Sequence, residues 1–165
     1  MQVQKRDGQL EDLNIDKLHK VVMYAVEGIT GVSASEVEIN SHIQFFDKIT
    51  STDIQETLIK SAADLISEES PNYQYVGGRL INYHLRKEVY GTFTPPCLCD
   101  IIDKNIEIGF YDAEFTELYT KAEINQLQEY IDHSRDEYLT YAAMEQFRGK
   151  YLVQNRATGE IFETP

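Results

Sequence analysis

The sequence predicts an α+β fold that is mainly helical. Apolar residues recur three and four residues apart through most of the chain, which is the spacing of amphipathic helices. Short alternating runs flank turn residues near both ends, which is typical of hairpins. The 165 residues, 42% of them hydrophobic, suffice to bury a core without cross-links. We therefore expect a helical protein with a small N-terminal sheet and a second hairpin near the C-terminus.

The first predicted element is a hairpin around an Asp7-Gly8 turn, a dipeptide that favours tight hairpin turns. It places Lys5 and Arg6 close to the start of the first helix. Lys17 lies in the first turn of that helix, where the helix dipole disfavours a cation unless an anion lies beside it. The cluster therefore indicates an anion-binding site.

Four helices are predicted after this hairpin. Their starts carry capping residues, namely Asn14, Ser33 with Glu36, Thr50 with Asp53, and Ser70-Pro71. Their apolar stripes run through Leu18, Val21, Val22, Ala25 and Ile29; Val37, Ile39, Ile43 and Phe46; Ile54, Leu58, Ala62, Leu65 and Ile66; and Tyr75, Val76, Leu80 and Tyr83. Gly28 or Gly31 ends the first helix and Gly91 the fourth, and the link 47–50 can add a strand to the hairpin.

A Pro-Pro sequence at residues 95–96 interrupts any helix and predicts a domain boundary. We expect domains at 1–91, 92–149 and 150–165, with helices near 97–108, 113–119, 122–133 and 136–147. The runs 151–155 and 160–162 predict the terminal hairpin. Because so little chain follows this hairpin, we expect the sequence to be a fragment or a split gene product.

The net charge of −13 opposes general nucleic-acid binding, since most of the surface would repel phosphates. The charge is uneven: residues 1–91 hold 9 Lys and Arg against 14 Asp and Glu, and residues 92–165 hold 6 against 14. No apolar run approaches the roughly 20 residues that span a bilayer, and no signal peptide is evident. The sequence thus predicts a cytoplasmic protein with no membrane or nucleic-acid partner.

The basic cluster is the main candidate for chemistry. Lys5, Arg6, Lys17 and Lys87 can converge on a triphosphate, because ammonium and guanidinium groups make strong hydrogen bonds to phosphate. Glu11 and Asn14 could then contact ribose or base. Ordinary solvated surface charge is the alternative, and spacing alone favours it.

Other residue patterns give weaker signals. There is no phosphate-loop motif, the four histidines lack metal-ligand spacing, and Cys97 and Cys99 are more typical of packing than of catalysis. The sequence therefore predicts neither catalytic residues nor a metal site.

The chain resembles the ATP-cone and following region of class I ribonucleotide reductase large subunits of bacterial or phage type. The resemblance spans nearly the whole chain and rests on the segments 5–8, 14–18, 25–28, 52–54, 62–66, 71–76, 85–91, 131–136 and 150–161. It implies a four-helix bundle capped by a small sheet, which binds ATP as activator or dATP as inhibitor, together with Mg²⁺.

The resemblance also implies roles for individual residues. Lys5, Arg6, Lys17 and Lys87 would contact phosphates, whereas Val3, Glu11, Asn14 and Leu18 would hold the nucleoside. Two further positions depart from the common family residues: Ser51 replaces a threonine but keeps the hydroxyl, and Gln55 replaces a histidine and keeps hydrogen bonding without a cationic form.

The family reduces ribonucleoside diphosphates by radical chemistry, with the radical supplied by a separate small subunit. Its catalytic residues would lie beyond Pro165, so this chain alone would be inactive. The implied partners are the catalytic remainder of the subunit, the small subunit and a second copy in a homodimer. Two alternatives are a nucleotide-responsive repressor, for which a preceding zinc ribbon is missing, and a helical interaction module that does not bind nucleotide.

Overall fold

The computed structural model describes residues 1–42 and 44–165, and it is mainly helical with one small sheet, as the sequence predicts. The strands are β1 (Gln2–Gln4), β2 (Leu10–Asp12) and β3 (Ile49–Thr50). The α-helices are α1 (Ile15–Val26), α2 (Ala34–His42), α3 (Ser51–Asp64), α4 (Tyr73–Tyr90), α5 (Leu98–Glu107), α6 (Glu114–Leu118), α7 (Lys121–Gln128) and α8 (Tyr141–Gln146). A 3₁₀ helix spans His133–Tyr138, and a π-helix spans Phe147–Tyr151.

The three strands form one sheet with β1 in the centre. β2 is antiparallel to β1, with Val3 opposite Glu11, and β3 is parallel to β1, with Val3 opposite Ile49. The turn between β1 and β2 places Gly8 at φ +84°, which glycine adopts without strain. The third strand predicted from the link 47–50 is confirmed, and it leads directly into α3.

Helices α1 to α4 pack against one another and against the inner side of the sheet. The contacts join α1 with α2 and α4, and α3 with α2 and α4. Their apolar faces form the main core, whose fully buried side chains include Val22, Val37, Leu58, Leu80 and Ile81. Burial of these faces provides most of the stability of the helices, because helix propensity alone contributes little.

Several predicted helix ends are confirmed. Asn14 caps α1 by accepting a hydrogen bond from the Lys17 backbone, and Thr50 caps α3 in the same way. Gly91 ends α4 at φ +73°, a left-handed conformation suited to glycine. At the start of α7, Thr120 and Glu123 form a capping box.

The predicted capping box of the second helix is wrong. Glu36 accepts a hydrogen bond from the hydroxyl of Tyr73, and that hydroxyl in turn accepts one from the Ser33 backbone. The apolar stripe predicted there is confirmed at Val37, which is buried, and wrong at Ile39, which is 63% exposed, and at Phe46, which lies past the end of α2 and is 60% exposed. Ile43, placed by prediction on the same stripe, lies outside the described residues.

Helix α4 begins at Tyr73, two residues after the predicted Ser70-Pro71 start. The side chain of Asn72 does not cap it but donates to the Thr30 carbonyl at 2.9 Å. The start predicted from Ser70 and Pro71 is therefore wrong. A tertiary hydrogen bond joins the start of α4 to the loop after α1.

The second half of the chain differs from prediction in three places. The helix expected near 122–133 is shorter, since α7 ends at Gln128. The single helix expected at 136–147 is broken at Leu139, where the backbone is extended between the 3₁₀ helix and α8. In place of a terminal hairpin of two strands there is one antiparallel bridge between Gln154 and Ile161, with backbone hydrogen bonds from Asn155 to Glu160 and from Phe162 to Val153 on either side. Within the described residues, no helix combines the length and apolar character that crossing a membrane requires.

The second half packs closely on α4. Met144 and Leu152 are buried in the main core, whereas Cys99, Ile102 and Ile124 form a separate small cluster. Helix α8 therefore lies on the same core as α1 to α4, although it is distant in sequence.

Candidate functional site

A cavity of about 390 Å³ opens between the hairpin and the helices α1, α3 and α4. Its size falls in the range typical of small-ligand sites. It is lined by Val3, Glu11, Asp12, Leu13, Asn14, Lys17, Leu18, Lys20, Val21, Tyr24, Ser51, Ile54, Gln55 and Tyr83.

Seven of the ten residues singled out by sequence and resemblance line this cavity. They are Val3, Glu11, Asn14, Lys17, Leu18, Ser51 and Gln55. Lys5 and Arg6 lie instead around a second cavity of about 370 Å³, which shares Ser51 with the first and includes Gly8 and Thr50. Lys87 lines neither cavity, but its ammonium lies 5.8 Å from the ring centre of Tyr83.

The carboxylate of Glu11 on β2 lies between two lysines, one from the hairpin and one from α1. Lys5 Nζ lies 3.6 Å from Glu11 Oε2, and Lys17 Nζ lies 3.9 Å from Glu11 Oε1. All three side chains are at least 40% exposed, and ion pairs in such surroundings contribute little to stability. Both lysines can therefore turn to a bound anion at small energetic cost.

Helix α1 presents one face to the cavity. Lys17, Lys20 and Tyr24 follow one another at helical spacing, and Leu18 and Val21 lie beside them. Asn14 uses its side-chain oxygen to cap the helix, at 2.9 Å from the Lys17 nitrogen, so its amide nitrogen is the group left for a ligand.

Helix α3 presents the residues of its first two turns. Ser51 follows the capping residue Thr50 and lies where the two cavities meet. Gln55 lies one turn further on, and its Oε1 is buried with no hydrogen-bond partner among the described residues. A buried acceptor without a donor is costly, and Gln55 lines the cavity, so a turn of its side chain would bring this oxygen to a polar group of a ligand.

Aromatic rings close the side of the cavity near α4. Tyr24 packs edge-on against Phe93 with ring centres 5.1 Å apart, and Tyr83 lies 5.4 Å from Phe93. Burial, followed by the charge of Glu137, raises the pKa of Tyr24, and burial raises that of Tyr83. Tyr24 is missing from the predicted set, although its position seven residues after Lys17 on one helical face would have indicated it.

Arg6 points away from the first cavity towards the end of α4. Its guanidinium donates to the Lys87 carbonyl at 3.1 Å, and a second nitrogen lies 3.5 Å from His84 Nδ1. Burial of His84, against the opposing effect of Glu56, lowers the pKa of the imidazole to about 4. His84 is therefore neutral at pH 7, and its Nδ1 can accept a hydrogen bond from Arg6.

The two cavities together offer an apolar part and a cationic part. Leu18, Val21 and the tyrosine rings suit a flat heterocycle, whereas Lys5, Lys17 and the start of α3 suit anionic groups. A ligand with both parts, such as a nucleotide, matches this arrangement.

The part of the chain that holds the sheet, α1 to α4 and both cavities matches one known protein family. The family model described as "ATP cone domain" matches residues 1–88, and the chain belongs to the ATP-cone family. The whole chain is in turn similar to the N-terminal region of reductase subunits named "Ribonucleoside-diphosphate reductase" subunit alpha.

Three of these relatives show the extent of the similarity. The chain is 54% identical to the alpha subunit of ribonucleoside-diphosphate reductase 1 of Escherichia coli (strain K12), over 98% of the chain and 21% of the relative. It is 51% identical to the Haemophilus influenzae subunit, over 99% and 22%, and 40% identical to that of Enterobacteria phage T4, over 98% and 21%. The chain thus spans about a fifth of the length of the curated relatives it matches.

Proposed function

We propose that this chain is the allosteric nucleotide-binding part of a ribonucleoside-diphosphate reductase alpha subunit, and that ATP and dATP bind in the cavity between the hairpin, α1 and α3. The observation that carries the proposal is the cavity itself, where Lys17 and Ser51 lie beside the apolar side chains of Leu18 and Val21. The match of residues 1–88 to the ATP-cone family supports a nucleotide as the ligand.

In this proposal the nucleoside occupies the larger cavity. Val3 and Leu18 contact the base, and the free amide of Asn14 and the carboxylate of Glu11 bind the ribose or base. The phosphates pass Lys17 and Ser51 into the second cavity, where Lys5 and Arg6 bind them with Mg²⁺, and Lys87 approaches from α4.

The proposal extends to the rest of the enzyme. Residues 1–91 form the regulatory domain, a four-helix bundle under its sheet, residues 92–149 a helical connection, and residues 150–165 the start of the catalytic region. The partners are then the catalytic remainder of the alpha subunit, a small radical-generating subunit and a second alpha subunit. The reaction controlled is the reduction of ribonucleoside diphosphates, and the enzyme is cytoplasmic.

Isothermal titration calorimetry tests nucleotide binding directly. ATP and dATP, each with and without Mg²⁺, are titrated into the 165-residue chain, with inorganic triphosphate and GTP as comparison ligands. We expect saturable binding of both adenine nucleotides and weaker binding of triphosphate alone, because the apolar cavity contributes to affinity only when a base fills it.

Two outcomes would contradict the proposal. Equal affinity for triphosphate and ATP would mean that the cationic residues act alone and that the cavity holds no base. No saturable binding of any nucleotide would leave the interaction module as the better account, and a pull-down against a reductase small subunit would then test it.

A further inference from the structure

A group of charged side chains joins α3, α4 and the segment after α8. The guanidinium of Arg148 donates from Nη1 to Glu56 Oε1 at 2.6 Å and from Nη2 to Glu56 Oε2 at 3.2 Å. It also donates to both oxygens of Glu145, at 2.7 Å and 3.1 Å. Because each carboxylate is held by two hydrogen bonds, the position of Arg148 fixes that of Glu56.

One connection runs from this group to the second cavity. His84 Nε2 lies 3.4 Å from Glu56 Oε1, and His84 Nδ1 lies 3.5 Å from a guanidinium nitrogen of Arg6. Arg6 lines the cavity that is proposed to hold the phosphates. Arg6, His84, Glu56 and Arg148 are thus linked by consecutive polar contacts.

A second connection runs along α3 itself. Glu56 directly follows Gln55, so the two side chains leave the same turn of the helix in different directions. Gln55 faces the larger cavity, whereas Glu56 faces Arg148. A shift of this turn therefore moves both residues.

We propose that Arg148 is a positioning residue for the nucleotide site: by holding Glu56 it sets the place of the first turns of α3, and nucleotide binding in turn orders the segment 145–151. This inference rests on the proposed function. Arg148 lies outside the residues 1–88 that match the ATP-cone family. Because coupling between two sites is reciprocal, an effect of Arg148 on affinity requires an effect of nucleotide on this segment.

The surrounding charges explain why a neutral residue cannot replace Arg148. Burial disfavours its charge, but the hydrogen bonds to Glu56 and Glu145 outweigh burial and raise the pKa of the guanidinium. Glu88 lies 3.8 Å from His84 Nε2 as well. Without Arg148, the carboxylates of Glu56 and Glu145 would repel each other, and α3 would move away from its present position.

Calorimetry with ATP tests the first half of the inference. Arg148→Met and Glu56→Gln should each lower ATP affinity by about fivefold or more, whereas Arg148→Lys should fall between Arg148→Met and the parent. The double variant should bind no more weakly than Arg148→Met, since both changes remove one interaction. Lys150→Met is the matched control, because Lys150 is exposed in the same π-helix and its ammonium forms no ion pair among the described residues, lying 5.3 Å from the ring centre of Tyr151.

Hydrogen exchange tests the second half and separates coupling from a merely structural role. In the parent and in Lys150→Met, ATP should slow amide exchange across residues 145–151, and in Arg148→Met it should not. The inference would be overturned if Arg148→Met and Glu56→Gln bound ATP as tightly as the parent and if ATP slowed exchange across residues 145–151 equally in Arg148→Met and in the parent. The proposed function would then remain intact. Failure of the parent to bind ATP would instead overturn the proposed function and this inference with it.

Discussion

At the scale of single residues, the site combines weak ion pairs with one costly buried atom. Glu11 contacts both Lys5 and Lys17 in exposed surroundings, so neither lysine is held firmly. Gln55 Oε1, by contrast, is buried and has no donor among the described residues. A ligand that brings anionic groups to the lysines would therefore meet little competition from the ion pairs, and Gln55 would gain a partner only if its side chain turned.

Lys17→Ala should lower ATP affinity by about tenfold. A charge-assisted hydrogen bond contributes about 1.5 to 3 kcal/mol. Lys17 lies in the first turn of α1 and lines the larger cavity. Calorimetry measures the change, with Lys60→Ala as control, because Lys60 is exposed on α3 and lines neither cavity. Equal affinity of Lys17→Ala and parent would show that Lys17 does not contact the nucleotide.

His84 should make stability depend on pH. Its pKa is about 4 in the folded chain against an ordinary 6.5, so between these values the unfolded chain binds more protons and the free energy of unfolding falls as pH falls. The loss is at most roughly 3 kcal/mol. Urea unfolding should show this loss in the parent, and a smaller one in His84→Gln.

The groups facing His84 act in opposite directions. Glu56 favours its charged form, whereas Arg6 and Arg148 disfavour it. Glu88, whose pKa is raised mainly by burial, titrates nearby. The comparison with His84→Gln isolates the histidine, and identical pH profiles of the two proteins would mean that it is not buried as a neutral group.

At the scale of elements, α4 organises the molecule because it contacts α1, α3, the 3₁₀ helix and α8. The close approach of the later segment depends on Gly78. A Cβ at this position would lie 2.0 Å from the carbonyl oxygen of Leu139, well inside van der Waals contact. The backbone at Leu139 can lie this close to α4 only because Gly78 has no side chain.

Gly78→Ala should therefore destabilise the protein by at least about 2 kcal/mol. Gly149→Ala is the control, since a Cβ there meets nothing within 4 Å, and its effect should be below about 1 kcal/mol. Urea unfolding measures both. Equal stability of the two variants would mean that Leu139 does not pack on α4 as described.

The sequence allowed the elements around the site to be predicted better than those in the second half. The caps at Asn14 and Thr50 and the Asp7-Gly8 turn are local signals, and they fix where the hairpin, α1 and α3 begin. The chain at Leu139 lies close to α4 because of Gly78, a glycine some sixty residues away. Glu36 bonds to the hydroxyl of Tyr73 and not to the predicted cap, which is again a contact between residues distant in sequence. Spacing also could not show that Arg6 turns to His84.

At the scale of the whole molecule, the two halves of the chain are joined by a buried ion pair. Arg86 on α4 donates to Asp136 at 2.8 Å and to the His133 carbonyl at 3.4 Å, and its guanidinium lies 5.1 Å from the ring centre of Phe93. Both charged side chains are almost fully buried. Regulation through the later residues would require this junction to stay closed.

Arg86→Met should destabilise the protein by about 3 kcal/mol or more, because it leaves the buried charge of Asp136 without a partner. Lys121→Met, which removes the exposed pair with Asp103, should change the stability little. Thermal unfolding followed by circular dichroism measures both changes. Similar melting temperatures for the two variants would contradict the buried junction.

The central claim is that an adenine nucleotide lies in the cavity between the hairpin, α1 and α3. Nuclear Overhauser contacts between the adenine and ribose protons of bound ATP and the methyl groups of the isotopically labelled chain locate the nucleotide most directly. The account predicts contacts to the methyl groups of Val3, Leu18 and Ile54, which line the cavity. Contacts confined to residues outside it, such as Ile101 beside the separate cavity near Tyr90, would contradict the account.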